Sequence, residues 1–313
     1  MNELAQLVED LCSRSTGDEL WRNLEDTGLA RLTSGQGAGP TEAAIVLSGL
    51  AKHAAAAPVA ETDLLAAWLA GTAGLDVPDT GPLTVAIADA TLVDGRITGT
   101  ACDVPWPSGT VVLAARTADT LYVALPQEAQ ATFAFDLPVS EMCAVDIGLA
   151  DELVRRGAWA RCNQIIGALD TACELTVAHT AERVQFGRQL NKFQAVQHSL
   201  AAMAGEIERA RAATALAVAA AADYGFDHPA TDYAVTAAKV TVGRAVNPVT
   251  TVAHQLHGAI GVTAEHRLWL FTMAARSWVD EYGTTAQHAR RLGRMALAAD
   301  DPWDVVVSCP APR

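Results

Sequence analysis

The sequence predicts a mainly α-helical protein with one small β lobe in the middle, and three observations carry that prediction. Apolar residues recur at helical spacing over residues 2–75 and again from Asp146 to about Leu297. Between these stretches, from Pro82, the hydrophobic period drops to two. The composition is half apolar and dominated by alanine, the best helix former, which favours closely packed helices. At 313 residues the chain has room for two or three lobes around a sizeable core. The expected division is a helical domain over 1–78, a β domain over 79–137 and a four-helix bundle over 138–313.

Each element has a local reason. Ser15-Thr16-Gly17-Asp18-Glu19 offers a helix cap with acidic residues in the first turn, ahead of Leu20, Trp21 and Leu24. Gly28 and the run Ser34 to Pro40 are breakers. Thr41 is placed to cap a helix carrying Ile45, Val46 and Leu50, and a further apolar pattern spans Thr62 to Leu69. Gly74 and Pro78 close the lobe. Leu83 to Ile87 alternates as a strand should, and Leu92 to Gly99 reads as a hairpin turning at Asp94-Gly95. Val111–Ala114 and Leu121–Leu125 add two strands. The bundle helices are expected at 147–186, 192–224, 229–256 and 264–297, with breaks at Gly187, at Gly225 to Pro229 and at the Gly258/Gly261 pair.

Charge and cysteine usage exclude several classes of function. A net charge of -14 disfavours nucleic acid or an anionic membrane surface as partner, so a phosphate-bearing ligand has to be met by local positive charge. The Ala-rich stretch Ala212 to Ala222 is too short to span a bilayer, and no basic, then apolar, leader opens the chain. The six cysteines show no Cys-x-x-Cys spacing, so they read as reduced thiols of a cytoplasmic protein, with no metal frame.

The most informative segment is Glu182 to His198. It places Arg183, Phe186, Gln194 and Gln197 at fixed offsets around Gly187, inside a long helical pattern. Gly187 is expected to end one helix and leave Arg183 in its last turn, projecting past the end. There a guanidinium can grip an anion with two parallel hydrogen bonds. An aromatic ring and carboxamides beside it suit a nucleotide. Phe193 reads as core, and His198 and His257 lack companions at metal-ligand spacing. A second block, Gln255-Leu256-His257-Gly258-Ala259-Ile260-Gly261-Val262-Thr263-Ala264-Glu265, follows in order.

The first block resembles the Arg-x-x-Phe-Gly, Phe-Gln and later Gln of the acyl-CoA dehydrogenase family. The second resembles that family's Gln-x-x-Gly-Gly-x-Gly-[Tyr/Phe]-Thr-x-Glu. The order helical lobe, β lobe, long bundle also matches, so the resemblance covers nearly the whole chain and implies an acyl-CoA dehydrogenase-like fold. It implies FAD as cofactor, lying across a subunit interface. Carried over by position, Arg183 would pair with the pyrophosphate, Phe186 would pack on the adenosine and Gln194 would hydrogen-bond nearby. Gln255, Leu256, His257, Gly258 and Ala259 would form the tight turn at the adenine end, and Thr284 belongs to a Gly-Thr pair near the flavin.

The pattern also departs from the family. The reaction needs a carboxylate base, which most members carry directly before the Gly-Thr pair; here Tyr282 stands there, with Glu281 one residue out of register. The other place where a branch of the family carries the base holds Gly157, and Glu152 lies more than a turn away. The Thr-Glu-Pro-x-x-Gly-Ser-Asp segment that holds the flavin ring is missing, and Ala286 stands where a Gln usually touches FAD. Retention of the adenine half with loss of the ring half resembles the short subunit of actinobacterial heteromeric, steroid-type acyl-CoA dehydrogenases. That likeness implies an α2β2 assembly with a homologous subunit that supplies the base, an acyl-CoA substrate (a steroid-derived ester among the options) and a separate electron acceptor. Two alternatives stay open: a self-sufficient homo-oligomer using Glu281, and a non-catalytic scaffold of the same fold.

Overall fold

The computed structural model describes residues 3–307. Cys309 lies outside the described residues, and the other five cysteines are free thiols. In chain order the helices and strands are α1 (Glu3–Arg14), α2 (Gly17–Asp26), α3 (Pro40–Lys52), α4 (Trp68–Ala73), β1 (Leu83–Val93), β2 (Arg96–Ala101), β3 (Thr110–Arg116), β4 (Thr120–Ala124), β5 (Phe133–Pro138) and β6 (Cys143–Asp146). There follow α5 (Gly148–Glu182), β7 (Val184–Gln185), β8 (Arg188–Gln189), α6 (Gln194–Tyr224), α7 (Pro229–His257), α8 (Leu268–Trp278), α9 (Thr285–Ala298) and α10 (Pro302–Val307).

Contacts divide the chain into two compact units. One comprises Thr16–Gly39 and Ala57–Gly157, the other Met1–Ser15, Pro40–Ala56 and Ala158–Arg313. Residues 16–39 and 57–73 thus group with the strands, although their own pattern is helical.

In the sheet-bearing unit the strand order is β5-β2-β1-β3-β4-β6. The first half of β1 pairs parallel with β3 and is buried; the second half pairs antiparallel with β2 and is largely exposed. The expected hairpin turn is present, with Asp94 and Gly95 at φ 51 and 75. Ile97, Leu113, Tyr122 and Phe135 centre the core of this lobe. The pattern over Thr62 to Leu69 is a π-helical turn (Ala60–Ala67) running into α4, and its buried Thr62 and Asp63 bond to residues distant in sequence. The Thr62 hydroxyl accepts from the Leu83 amide at 3.0 Å, and Asp63 accepts from the amides of Thr33 and Ser34.

The other unit is built on α5 to α9. Alanine on the facing helices lets the Trp159 indole reach across from α5 and donate to the Ala217 carbonyl of α6 at 3.2 Å, edge-on to Phe226. Pro229 opens α7 at a position where its missing N–H costs nothing, and His228 caps it.

Three expectations are corrected here. Thr41 lies inside α3, which begins at Pro40, and Thr16 caps α2 without a side-chain bond. Helix α5 stops at Glu182, so Gly187 is not its terminus. Instead Phe186 and Gly187, at φ 53 and 79, form the tip of the β7–β8 hairpin, a two-residue turn that requires positive φ at both positions. The single helix expected over 264–297 is two, α8 and α9. Lys239 of α7, fully buried, donates to the carbonyls of Val279 and Glu281 at 2.9 and 2.7 Å and holds the chain out of helix. Tyr282 and Gly283 then turn at positive φ before Thr284 restarts the helix with a capping box to Gln287.

Candidate functional site

Two sequence blocks far apart in the chain meet at one end of the bundle. The link is a ring contact: His179, one turn before Arg183, stacks on His257 with centroids 4.4 Å apart, and His266 packs on His257 at 4.7 Å. The hairpin with Arg183, Phe186 and Gln194 and the turn with Gln255 to Ala259 therefore lie at the same end.

Arg183 follows directly on α5, its amide bonded to the His179 carbonyl and its carbonyl to the Leu190 amide. Its guanidinium is exposed and has no ion-pair or hydrogen-bond partner among the described residues. Phe186 is 90% exposed, with its ring edge-on to that of Phe193 at a centroid separation of 6.1 Å. Phe193 itself, expected to be core, is half-buried, with the Arg188 guanidinium 4.0 Å over its ring. Gln194 and Gln255 are exposed, and Leu256 is half-buried. Gly258 turns at φ 65 and ψ -144, a conformation closed to residues with a side chain, with open space where a Cβ would stand. Ala259 is exposed beside it. Thr284 spends its hydroxyl on the cap of α9.

This end fits a dinucleotide. A forked cation with no competing carboxylate, an open aromatic face, two uncommitted carboxamides and a bare backbone turn are the groups that a pyrophosphate and a purine need. The histidines beneath are not metal ligands in this arrangement: stacked rings cannot aim lone pairs at one ion. His257 gives its Nδ1 proton to the Ala253 carbonyl at 2.8 Å, which leaves Nε2 buried without a partner. Burial, with neighbouring His179 and His266 adding to it, pushes His257 down to about 4. Burial also lowers His179, helped by His266 and Arg183.

A second cluster, unforeseen from sequence, surrounds Glu281. Arg161, only 3% exposed, donates from Nε and from a terminal nitrogen to the Glu281 carboxylate at 2.8 and 2.7 Å, and also to Gln164. Lys239 grips the same turn from below, and burial lowers its pKa. Glu152, more than a turn from Gly157, is paired with Arg156 at 2.8 Å. Neither carboxylate stands free to take a proton. A charged residue on an apolar helix face, one turn past Gly157, was the signal in the sequence for Arg161.

A family model for the acyl-CoA dehydrogenase C-terminal domain matches residues 147–297, which hold both blocks. Acyl-CoA dehydrogenase IpdE2 of Mycobacterium tuberculosis is 28% identical over 295 residues, 89% of this chain and 87% of that one. Over residues 147–297 the chain belongs to the acyl-CoA dehydrogenase C-terminal domain family. IpdE2 of Mycolicibacterium smegmatis is 33% identical over 149 residues, a match that spans 47% of this chain and only 43% of that protein. Among solved structures, the ChsE4-ChsE5 complex from Mycobacterium tuberculosis superposes with a TM-score of 0.80 at 21% identity, covering 95% of this chain and 97% of that one. The Tcur3481-Tcur3483 steroid ACAD gives 0.76 at 22% identity, covering 94% and 97%. At these identities the structures establish the acyl-CoA dehydrogenase fold. Among the described residues no helix is long and apolar enough to cross a membrane.

Proposed function

We propose that this chain is one subunit of an FAD-dependent acyl-CoA dehydrogenase, which desaturates an acyl-CoA thioester between the α and β carbons. In this reading it supplies the dinucleotide-binding end of a shared FAD site, and a homologous partner supplies the base. The observation that carries it is the contrast between the two clusters: Arg183 is exposed and uncommitted, whereas Glu281 is bound to a buried guanidinium.

When bound, FAD would accept the hydride from the β carbon. The residues of this chain have other tasks. Arg183 would neutralise the pyrophosphate, Phe186 would cover the adenosine, and Gln194 and Gln255 would fix its orientation through carboxamide hydrogen bonds. Gly258 and Ala259 let the backbone approach the cofactor closely. Proton removal from the α carbon needs a carboxylate within hydrogen-bond reach. Tyr282 and the paired Glu281 do not provide one, which favours a base from outside the chain.

The relatives support the rest. ChsE4-ChsE5 and Tcur3481-Tcur3483 are both complexes of two different chains, and the second is a steroid acyl-CoA dehydrogenase. We therefore assign a homologous partner subunit in an α2β2 assembly, a steroid-derived CoA ester as substrate class, and electron delivery to a separate acceptor. The test is co-expression with homologous subunits from the same genome. A yellow, acyl-CoA-bleachable complex should form with one of them and not from this chain alone. A colourless complex, or full desaturase activity of the chain by itself, contradicts the proposal.

A further inference from the structure

The segment that forms the β7–β8 hairpin reverses the sign of the chain's charge. Arg183, Arg188 and Lys192 fall within ten residues that include no acid, in a chain of net charge -14. Glu182, the nearest carboxylate in sequence, is the last residue of α5 and precedes the ladder.

Register decides which of these cations stand together. Gln185 pairs with Arg188 and Val184 with Gln189, and the Leu190 amide donates to the Arg183 carbonyl, which continues the ladder by one pair. Residues directly opposite one another share a face of a hairpin, as do residues two apart along a strand. Arg183 and Arg188 are therefore diagonal neighbours on one face, with backbones about 7–8 Å apart, and Val184 and Gln189 belong to the other. Arg188 is braced in its place. Its guanidinium lies 4.0 Å over the Phe193 ring, which supports one flat side of the group and leaves its N–H edge for another partner. Both arginines are exposed, and neither guanidinium has an ion-pair or hydrogen-bond partner among the described residues. Two like charges on an open surface repel weakly, because water screens them. Once a second surface excludes that water, their hold on an anion strengthens.

A pyrophosphate bridge presents two phosphoryl groups with one negative charge on each. With Arg183 on one of them, the other still lacks a counter-charge from this chain. Resting on the shared-FAD reading above, we propose that Arg188 is a second pyrophosphate-holding residue, so that Arg183 and Arg188 each grip one phosphoryl group of the cofactor. Phe193 is the shelf that sets the angle of the second fork.

The test is the FAD affinity of the co-expressed complex, stripped of flavin and retitrated by fluorescence quenching. Arg188→Met keeps a side chain on the Phe193 ring and removes the charge. It should weaken FAD by about tenfold or more, the value of one charge-assisted hydrogen bond. It should also flatten the loss of affinity with added salt, because one ion pair fewer is left to screen. Arg188→Lys, which restores the charge without the fork, should recover the salt dependence and part of the affinity. The melting temperature of the chain should stay where it is, since Arg188 is exposed. Unchanged affinity or unchanged salt dependence in Arg188→Met, in a complex that Arg183→Ala does strip of flavin, overturns this inference and leaves the shared site standing. A loss of affinity matched by a fall in melting temperature marks Arg188 as structural and overturns it too. An unaltered complex that binds no FAD removes both readings.

Discussion

Arg161 and Glu281 lie 120 residues apart in sequence and form an ion pair of 2.7 Å in which the cation is buried and the carboxylate is not, its side chain being 39% exposed. The asymmetry determines what each substitution does. Removing the carboxylate takes a counter-charge from a buried guanidinium that keeps its bond to Gln164, and weakening the compensation of a buried charge is costly.

Glu281→Gln should therefore lower stability by about 2–4 kcal/mol, read as a fall in the denaturation midpoint. In the assembled complex the same variant should keep its rate of α,β-desaturation within about twofold, because a base contributes roughly 100-fold or more. A collapse in rate with stability intact would identify Glu281 as the base.

Two glycines predict opposite signs. A Cβ on Gly167 would meet the Ser48 carbonyl, a backbone atom that cannot swing aside, so Gly167→Ala should destabilise by about 1–3 kcal/mol. Gly205 lies inside α6 with nothing near its Cβ position, so Gly205→Ala should stabilise by about 0.4–1 kcal/mol. Thermal melts of the two variants, measured together, check both.

Much of the fold was legible because it is locally encoded. The periodicity change near Pro82, the Asp94-Gly95 turn and the Pro229 helix start each act within a few residues, and each is found in place. What was not legible depends on distant partners. The break between α8 and α9 is held by Lys239, about forty residues upstream, and the π turn over Ala60–Ala67 anchors Thr62 on the first residue of β1. The four-residue β6 is too short to stand out, whereas Phe133, Phe135 and Leu137 of β5 do alternate toward the core and were overlooked. At the site, Arg183 and Gln255 were visible through their spacing, although only the His179–His257 stack shows how the two blocks meet. Arg161 was missed because a lone arginine in an Ala-rich helix reads as surface until its partner is known.

The histidine cluster gives a pH dependence. His257 has a folded pKa of about 4 against about 6.5 unfolded, so between these values the unfolded chain binds a proton that the folded one refuses. Stability present above pH ~6.5 is lost as pH falls toward ~4, by up to about 3 kcal/mol for this group. His179 and His254, also lowered, act in the same direction. His257→Phe, which keeps a ring in the stack, should flatten the slope of stability against pH over that window; an unchanged slope would remove the cluster as its source.

The most direct measurement of the shared-cofactor account is the flavin content of the co-expressed complex carrying Arg183→Ala in this chain alone. The account predicts an assembled complex that has lost most of its flavin, since the substitution removes an exposed guanidinium and no internal contact. A complex that retains its full flavin complement without Arg183 would contradict it.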